Sequence, residues 1–309
     1  MRKTCLNEIY KLAKQDERVL FFGSDIGAGT LSEFQREMPD RYFMEGVSEA
    51  NIVGMMSGLA MNGKIPYMNT IAVFLTRRCY EQILLDAAMH NLNIRIVGSG
   101  GGVVYAPLGP THLAFEDIAI MRAIPNMTIV APCDAEEMKR LMPQTLEYEG
   151  PIYIRMGKGG DPVVSSPQNP FKIGKAILMK EGTDVLIVTT GIVLKNALDA
   201  SNILEKNGIS SEVLHVHTVK PIDRDAIVNS AGKVRAVITV EEHSAIGGLG
   251  SAVAEIIAET CFNPSKKFSR ISLPDIFPPK YGSQESMMRF YGITTDKIVS
   301  TADSLFKGV

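Results

Sequence analysis

The sequence has almost no excess charge: its 309 residues include 32 lysines and arginines against 34 aspartates and glutamates, a formal net charge of −2. That balance gives no electrostatic case for nucleic acid or a membrane surface as a partner. Cysteine is scarce, and Cys5, Cys79, Cys133 and Cys261 fall at no paired spacing. Their scatter indicates neither a disulfide framework nor a zinc cluster. Nowhere does an apolar run reach the length of about 18 residues that a membrane span requires. The opening MRKTCLNEIYKLAKQ lacks an apolar signal core followed by small residues, so the expectation is a soluble, cytoplasmic chain. Neither a Walker phosphate loop nor a low-complexity tract occurs.

What the chain does have is 45% hydrophobic side chains, enough at this length for two ordinary cores. Short apolar runs recur: VLFF at Val19–Phe22, IRIVG from Ile94, MTIVAP from Met127 and IYIR from Ile152. Between them CYEQILLDAAMH and AEEMKRLMPQTLEY read as helices, and Leu6, Ile9 and Ala13 already stand at helical spacing. Buried strands alternating with helices predict an α/β fold, a parallel sheet flanked by helices. The pattern breaks at GGDPVVSSPQNP and resumes with DVLIVTT, EVLHVH, AVITVEE and FSRISLP. The reading is two α/β domains, residues 1–160 and 173–309, joined by a proline-rich linker over 161–172.

Some motifs invite function and carry little of it. GSGGGV at Gly98–Val103 follows a strand but lacks the third glycine and the strand-end acid of a dinucleotide fingerprint. EEHSAIGGLG at Glu241–Gly250 reads as a strand-to-helix turn whose glycines permit close packing. His215 and His217 alternate on a strand with no third ligand in view, which predicts a solvent-facing or edge pair. His90 reads as a helix-end cap or surface residue.

Glu49 is different. In FMEGVSEANIVGMMSGLAMNGKIP it opens a helix that carries no charge until Lys64. Ser48 stands where it can cap that helix, and an acid suits the positive end of the dipole. The helix has almost no polar face, so its first turn should be buried, and a buried carboxylate needs a partner or a raised pKa. That combination marks a functional acid.

Three segments carry a resemblance over essentially the whole chain: GVSEANIVGMMSGLAMNGKIPYMNTIAVFLTRRCYEQILLDAAMHNLNIRIVG, then GPTHLAFEDIAIMRAIPNMTIVAPCDAEE, and finally VEEHSAIGGLGSAVAE. The first two resemble the pyrimidine-binding domain of transketolases, the third the transketolase C-terminal domain. The type most similar is the separately encoded C-terminal subunit of a split transketolase. The resemblance implies thiamine diphosphate as cofactor, with Glu49 bonded to a ring nitrogen of its aminopyrimidine and favouring the tautomer that activates the thiazolium carbon. That role calls for a buried acid able to hold or share a proton. It further implies that Phe74 stacks on the aminopyrimidine, that Arg77 and Asp25 lie near the cofactor, and that His112 contacts substrate oxygens during catalysis. Arg155 and Lys158 match positions that bind a substrate phosphate.

The Gly-Asp-Gly motif that holds magnesium and the diphosphate in such enzymes is absent from the chain. The resemblance therefore implies an N-terminal partner subunit carrying the diphosphate and Mg2+, two copies of each chain, and a heterotetramer in which this polypeptide alone is inert. It also implies that the turn around His243 lies on an element between protomers. In GSGGGVVYAPLGPTH, Leu108 stands where the family has a sugar-binding acid, and glycines around Gly100 and Gly101 replace an upstream basic residue. The expected activity is transfer of a two-carbon ketol unit from ketose to aldose, with a modified sugar as one substrate. Two other readings stay open: the beta subunit of a 2-oxo-acid decarboxylase, and a non-catalytic partner subunit.

Overall fold

Two sheets carry the fold in the computed structural model, which describes residues 1–24 and 31–307. The strands are β1 (Val19–Gly23), β2 (Tyr42–Met44), β3 (Ile65–Ile71), β4 (Arg95–Ser99), β5 (Thr128–Val130) and β6 (Ile152–Met156). They continue with β7 (Ile177–Lys180), β8 (Val185–Thr189), β9 (Ser211–His215), β10 (Thr218–Lys220), β11 (Ala236–Ser244) and β12 (Lys267–Leu273). The first sheet runs β10-β5-β6-β4-β3-β1-β2 and the second β12-β11-β8-β9-β7. Pairing is parallel except at two edges, where β10 runs antiparallel to β5 and β7 antiparallel to β9. Every residue of β1, β3, β4 and β6 is buried, as expected of parallel strands with helices on both faces.

The helices Arg2–Gln15 and Ala135–Glu147 cover one face of the first sheet, packing Leu6, Ile9, Met138 and Leu141 against Phe21, Tyr67 and Ile154. Helix Glu49–Met61 and the π-helical turn Ile83–Ala88 cover the other, packing Ile52, Met56 and Ile83 on Phe22, Met68 and Ile96. CYEQILLDAAMH therefore forms a helix that widens into a π turn, a local irregularity frequent at functional sites. Strand β3, IPYMNTI, escaped the apolar pattern because Asn69 and Thr70 interrupt it. Both are fully buried; Asn69 donates Nδ2 to Val97 O and Ser99 Oγ at 3.0 Å, while its Oδ1 has no hydrogen-bond partner.

Two expectations are corrected. His215 and His217 are 1% and 0% exposed, because β9 lies inside its sheet between β8 and β7 and the first domain covers its end. Ser48 occupies the N-cap position, but its hydroxyl donates to Glu45 O at 2.9 Å and makes no cap bond.

Candidate active site

Strand β3 ends in the short helix Ala72–Thr76, which carries half-buried Phe74 toward the first turn of helix Glu49–Met61. Glu49 is 1% exposed. Its Oε2 accepts a hydrogen bond from Arg78 Nη1 at 2.5 Å, while Oε1 is buried with no hydrogen-bond partner. Arg78 lies over the Phe74 ring at 4.5 Å, and the His112 ring meets Phe74 edge-on with centroids 5.4 Å apart. His112 ends the turn Pro110–His112, with Nδ1 2.9 Å from Thr111 Oγ1. Acid, aromatic ring, arginine and histidine thus share one corner of the first domain.

Arg77 points elsewhere. It forms an ion pair with Glu116 and donates Nη2 to Leu113 O at 2.8 Å. Both arginines lie in the turn between the short helices Ala72–Thr76 and Tyr80–Gln82, and that turn sends Arg77 to Glu116 and Arg78 to Glu49. Sequence reasoning chose Arg77 and missed Arg78, although the adjacent Arg-Arg pair was a signal that either could serve. Asp25 lies outside the described residues.

Arg155 and Lys158 do not come together. Lys158 is exposed on the loop after β6, whereas Arg155 is 6% exposed and engaged in a junction between the two domains. Its Nε donates to Asp117 Oδ2 at 2.8 Å and its Nη2 to Glu242 O at 2.7 Å. Tyr153 OH donates to the same Asp117 oxygen at 2.7 Å. The glycine run lies directly on this junction: a Cβ at Gly101 would come 2.6 Å from Arg155 Nε, and one at Gly102 2.4 Å from the Glu242 carboxyl carbon. Close approach to buried charge thus accounts for both glycines, whereas Leu108 is 51% exposed.

His243 is fully buried within the chain, so its own side chain is no surface contact between protomers. Ala119 N donates to its Nε2 at 3.3 Å, and Nδ1 lies 2.9 Å from Ser244 O. Nε2 thus accepts from a backbone N–H while Nδ1 faces a carbonyl. The preceding Glu241 accepts from Leu249 N and Gly250 N at 2.7 and 2.8 Å, satisfying the start of helix Leu249–Thr260.

Glu242 completes the junction, accepting from Val103 N at 2.8 Å and from Gln284 Nε2 at 2.9 Å. Burial pushes its carboxyl up from 4.5 to about 7, against the opposing pull of Arg155 and these donors. A raised carboxyl binds more protons folded than unfolded, so its contribution to stability is full below 4.5 and is lost as pH rises through about 7. The stability difference between wild type and Glu242→Gln should therefore change across that window and level off on either side. Parallel denaturation curves at pH 5 and pH 7.5 would remove Glu242 from this role.

The chain matches two family models: transketolase, pyrimidine-binding domain, over residues 1–160, and transketolase, C-terminal domain, over residues 174–298. A 6-deoxy-6-sulfo-D-fructose transketolase subunit from a Clostridium species is 39% identical over 98% of this chain and 93% of its own. An apulose-4-phosphate transketolase subunit from Phocaeicola vulgatus is 35% identical over 97% and 96%. Among solved structures, a split gene transketolase in the form of an inactive beta4 tetramer superposes with a TM-score of 0.90 at 35% identity, covering 99% of this chain and 98% of that one. The chain belongs to the transketolase family. Within that family it is the C-terminal subunit of a split, transketolase-type transferase that acts with a partner chain. The decarboxylase alternative is not favoured. No described helix is long and apolar enough to cross a membrane.

Proposed function

We propose that this chain supplies the aminopyrimidine end of a thiamine diphosphate site and the sugar-facing loop beside it, in a cytoplasmic enzyme that moves a two-carbon ketol unit between sugars. One observation carries the reading: Glu49 Oε1, buried and without a partner beside an aromatic ring. An unmet buried acceptor is costly, and a ring nitrogen carrying hydrogen is the donor it lacks, so the residues fit the group. When bound, thiamine diphosphate supplies the electron sink for breaking a carbon–carbon bond next to a carbonyl. Glu49 Oε1 would take the ring's hydrogen bond. Arg78 holds the other oxygen and so fixes the carboxylate's orientation. Phe74 offers a flat apolar face, and His112 stands at the rim to meet sugar oxygens. Lys158 is the exposed cation for a substrate phosphate or sulfonate, while Arg155 serves by bracing the loop above it.

The diphosphate and its magnesium fall to the partner, since magnesium needs hard oxygen ligands and this chain has no Gly-Asp-Gly. We expect two copies of each chain, the commonest symmetry being two-fold. The solved relative, an inactive tetramer of beta chains, supports a subunit that does nothing alone. The relatives named above are transketolase subunits for 6-deoxy-6-sulfo-D-fructose and for apulose 4-phosphate. Apolar Leu108 in the sugar loop suits a modified sugar of that kind, because removing a polar partner changes selectivity strongly.

The test is reconstitution. The lone chain should bind thiamine diphosphate weakly by calorimetry. Adding the partner and magnesium should give tight binding and ketol transfer, with xylulose 5-phosphate and ribose 5-phosphate a poor pair. Tight magnesium-dependent binding by the lone chain would overturn the division of labour.

A further inference from the structure

Away from the Glu49 corner, three side chains of metal-ligating type converge where the domains meet. Cys133 follows β5, Glu137 lies in the first turn of helix Ala135–Glu147, and His215 ends β9. Their ligating atoms all lie within 4.8 Å of one another, and all three residues are at most 2% exposed. Glu137 Oε2 accepts from Cys133 N at 2.6 Å and lies 3.0 Å from His215 Nε2. Glu137 Oε1 and His215 Nδ1 are buried with no hydrogen-bond partner, a cost that a chain avoids unless something meets those atoms.

We propose that Cys133, Glu137 and His215 form a site for a zinc-class divalent cation that clamps the two domains together. Sulfur, imidazole and carboxylate are the donor set of zinc, whereas magnesium and calcium take oxygen alone. A divalent ion with one thiolate, one carboxylate and a neutral imidazole is electrically neutral, so the cluster can be buried without an uncompensated charge. Bonds of about 2.0–2.3 Å require ligand atoms closer together than the present spread of up to 4.8 Å, so binding must draw the three side chains inward. Cys133 also lines a cleft of about 650 Å³ between the linker residues Asp161 and Pro162 and the second domain. That cleft is the entry path and leaves the fourth position to water. His217 borders the cluster, its ring edge-on to His215 at 5.8 Å and stacked on Phe171 at 4.0 Å.

Binding exchanges the thiol proton for the metal, one proton leaving to water per ion, so affinity rises with pH.

The experiment uses the full chain carrying Cys261→Ser, which removes the exposed thiol, stripped of metal and titrated with Zn²⁺ or Co²⁺. The expected result is one ion per chain, a thiolate-to-cobalt charge-transfer band, and a raised melting temperature that Mg²⁺ does not produce. Cys133→Ser should abolish the band and weaken zinc binding by at least about tenfold, the loss that even an outer-shell partner of a metal site costs. Should Cys133→Ser fail to fold, protection of the Cys133 thiol from alkylation by zinc in the parent chain decides the matter. Binding below one-tenth of an ion per chain, an unchanged band in Cys133→Ser, or no thiol protection overturns the site. None of these outcomes depends on thiamine diphosphate, so the Glu49 assignment stands or falls separately.

Discussion

Glu49→Gln is expected to leave the complex with the partner chain assembled and to lower ketol-transfer turnover by about 10²–10⁴-fold, the range for one positioned acid–base group. Glutamine keeps the length of glutamate, and its amide oxygen can still accept from Arg78. What it loses is the carboxylate at the buried position of Oε1. Assembly is read by sedimentation, turnover by coupled assay, and cofactor affinity by calorimetry. A variant that assembles, binds cofactor within a few-fold of wild type and turns over near-normally would show that Glu49 is only a buried ion-pair partner of Arg78. A variant that fails to assemble would instead make Glu49 a docking residue.

Arg155→Ala is the second large effect, and it separates two roles for that residue. In the fold, Arg155 is the cation of a buried pair: Asp117 is fully buried, its Oδ2 held by Arg155 and Tyr153 and its Oδ1 without a hydrogen bond. Removing one partner of a buried pair costs about 3–5 kcal/mol, because the other charge remains buried alone. Chemical denaturation should show a loss of that size, and Arg155→Met with Asp117→Asn should cost less than the two single changes added together. If Arg155 served chiefly to bind a substrate phosphate, stability would move by no more than about 0.5 kcal/mol and only KM for phosphorylated sugars would rise.

The strands that were legible in the sequence are those built on short apolar runs, such as β1 and β8, together with β4 and β6, whose runs each take in a single arginine. Their burial on both faces is what makes them near-continuous runs. β3 was hidden by Asn69 and Thr70, whose polarity is answered only by side chains and carbonyls far away in sequence. Glu49 was legible because a lone acid at the head of an uncharged helix conflicts with its surroundings. Arg78 was not, since the choice between neighbouring arginines depends on the path of the turn between two short helices. His215 and His217 were misread as exposed because period-two alternation says nothing about what covers the second face. The cover here comes from the first domain and the linker: Glu137 bonds His215, and Phe171 stacks on His217.

Strand β10 has a consequence for how the gene can be cut. It belongs by sequence to the second half, yet Thr218 pairs with Val130, His217 O accepts from Ala131 N at 2.7 Å, and Lys220 Nζ reaches Arg122 O at 2.9 Å. A fragment ended at the proline-rich linker would lose this strand and bare the backbone of β5, a template for pairing between molecules. The halves are therefore not interchangeable cassettes. A chimera that borrows its second half from a relative must bring a strand whose residues fit this chain's β5, or accept a sticky margin where the native molecule has a finished one.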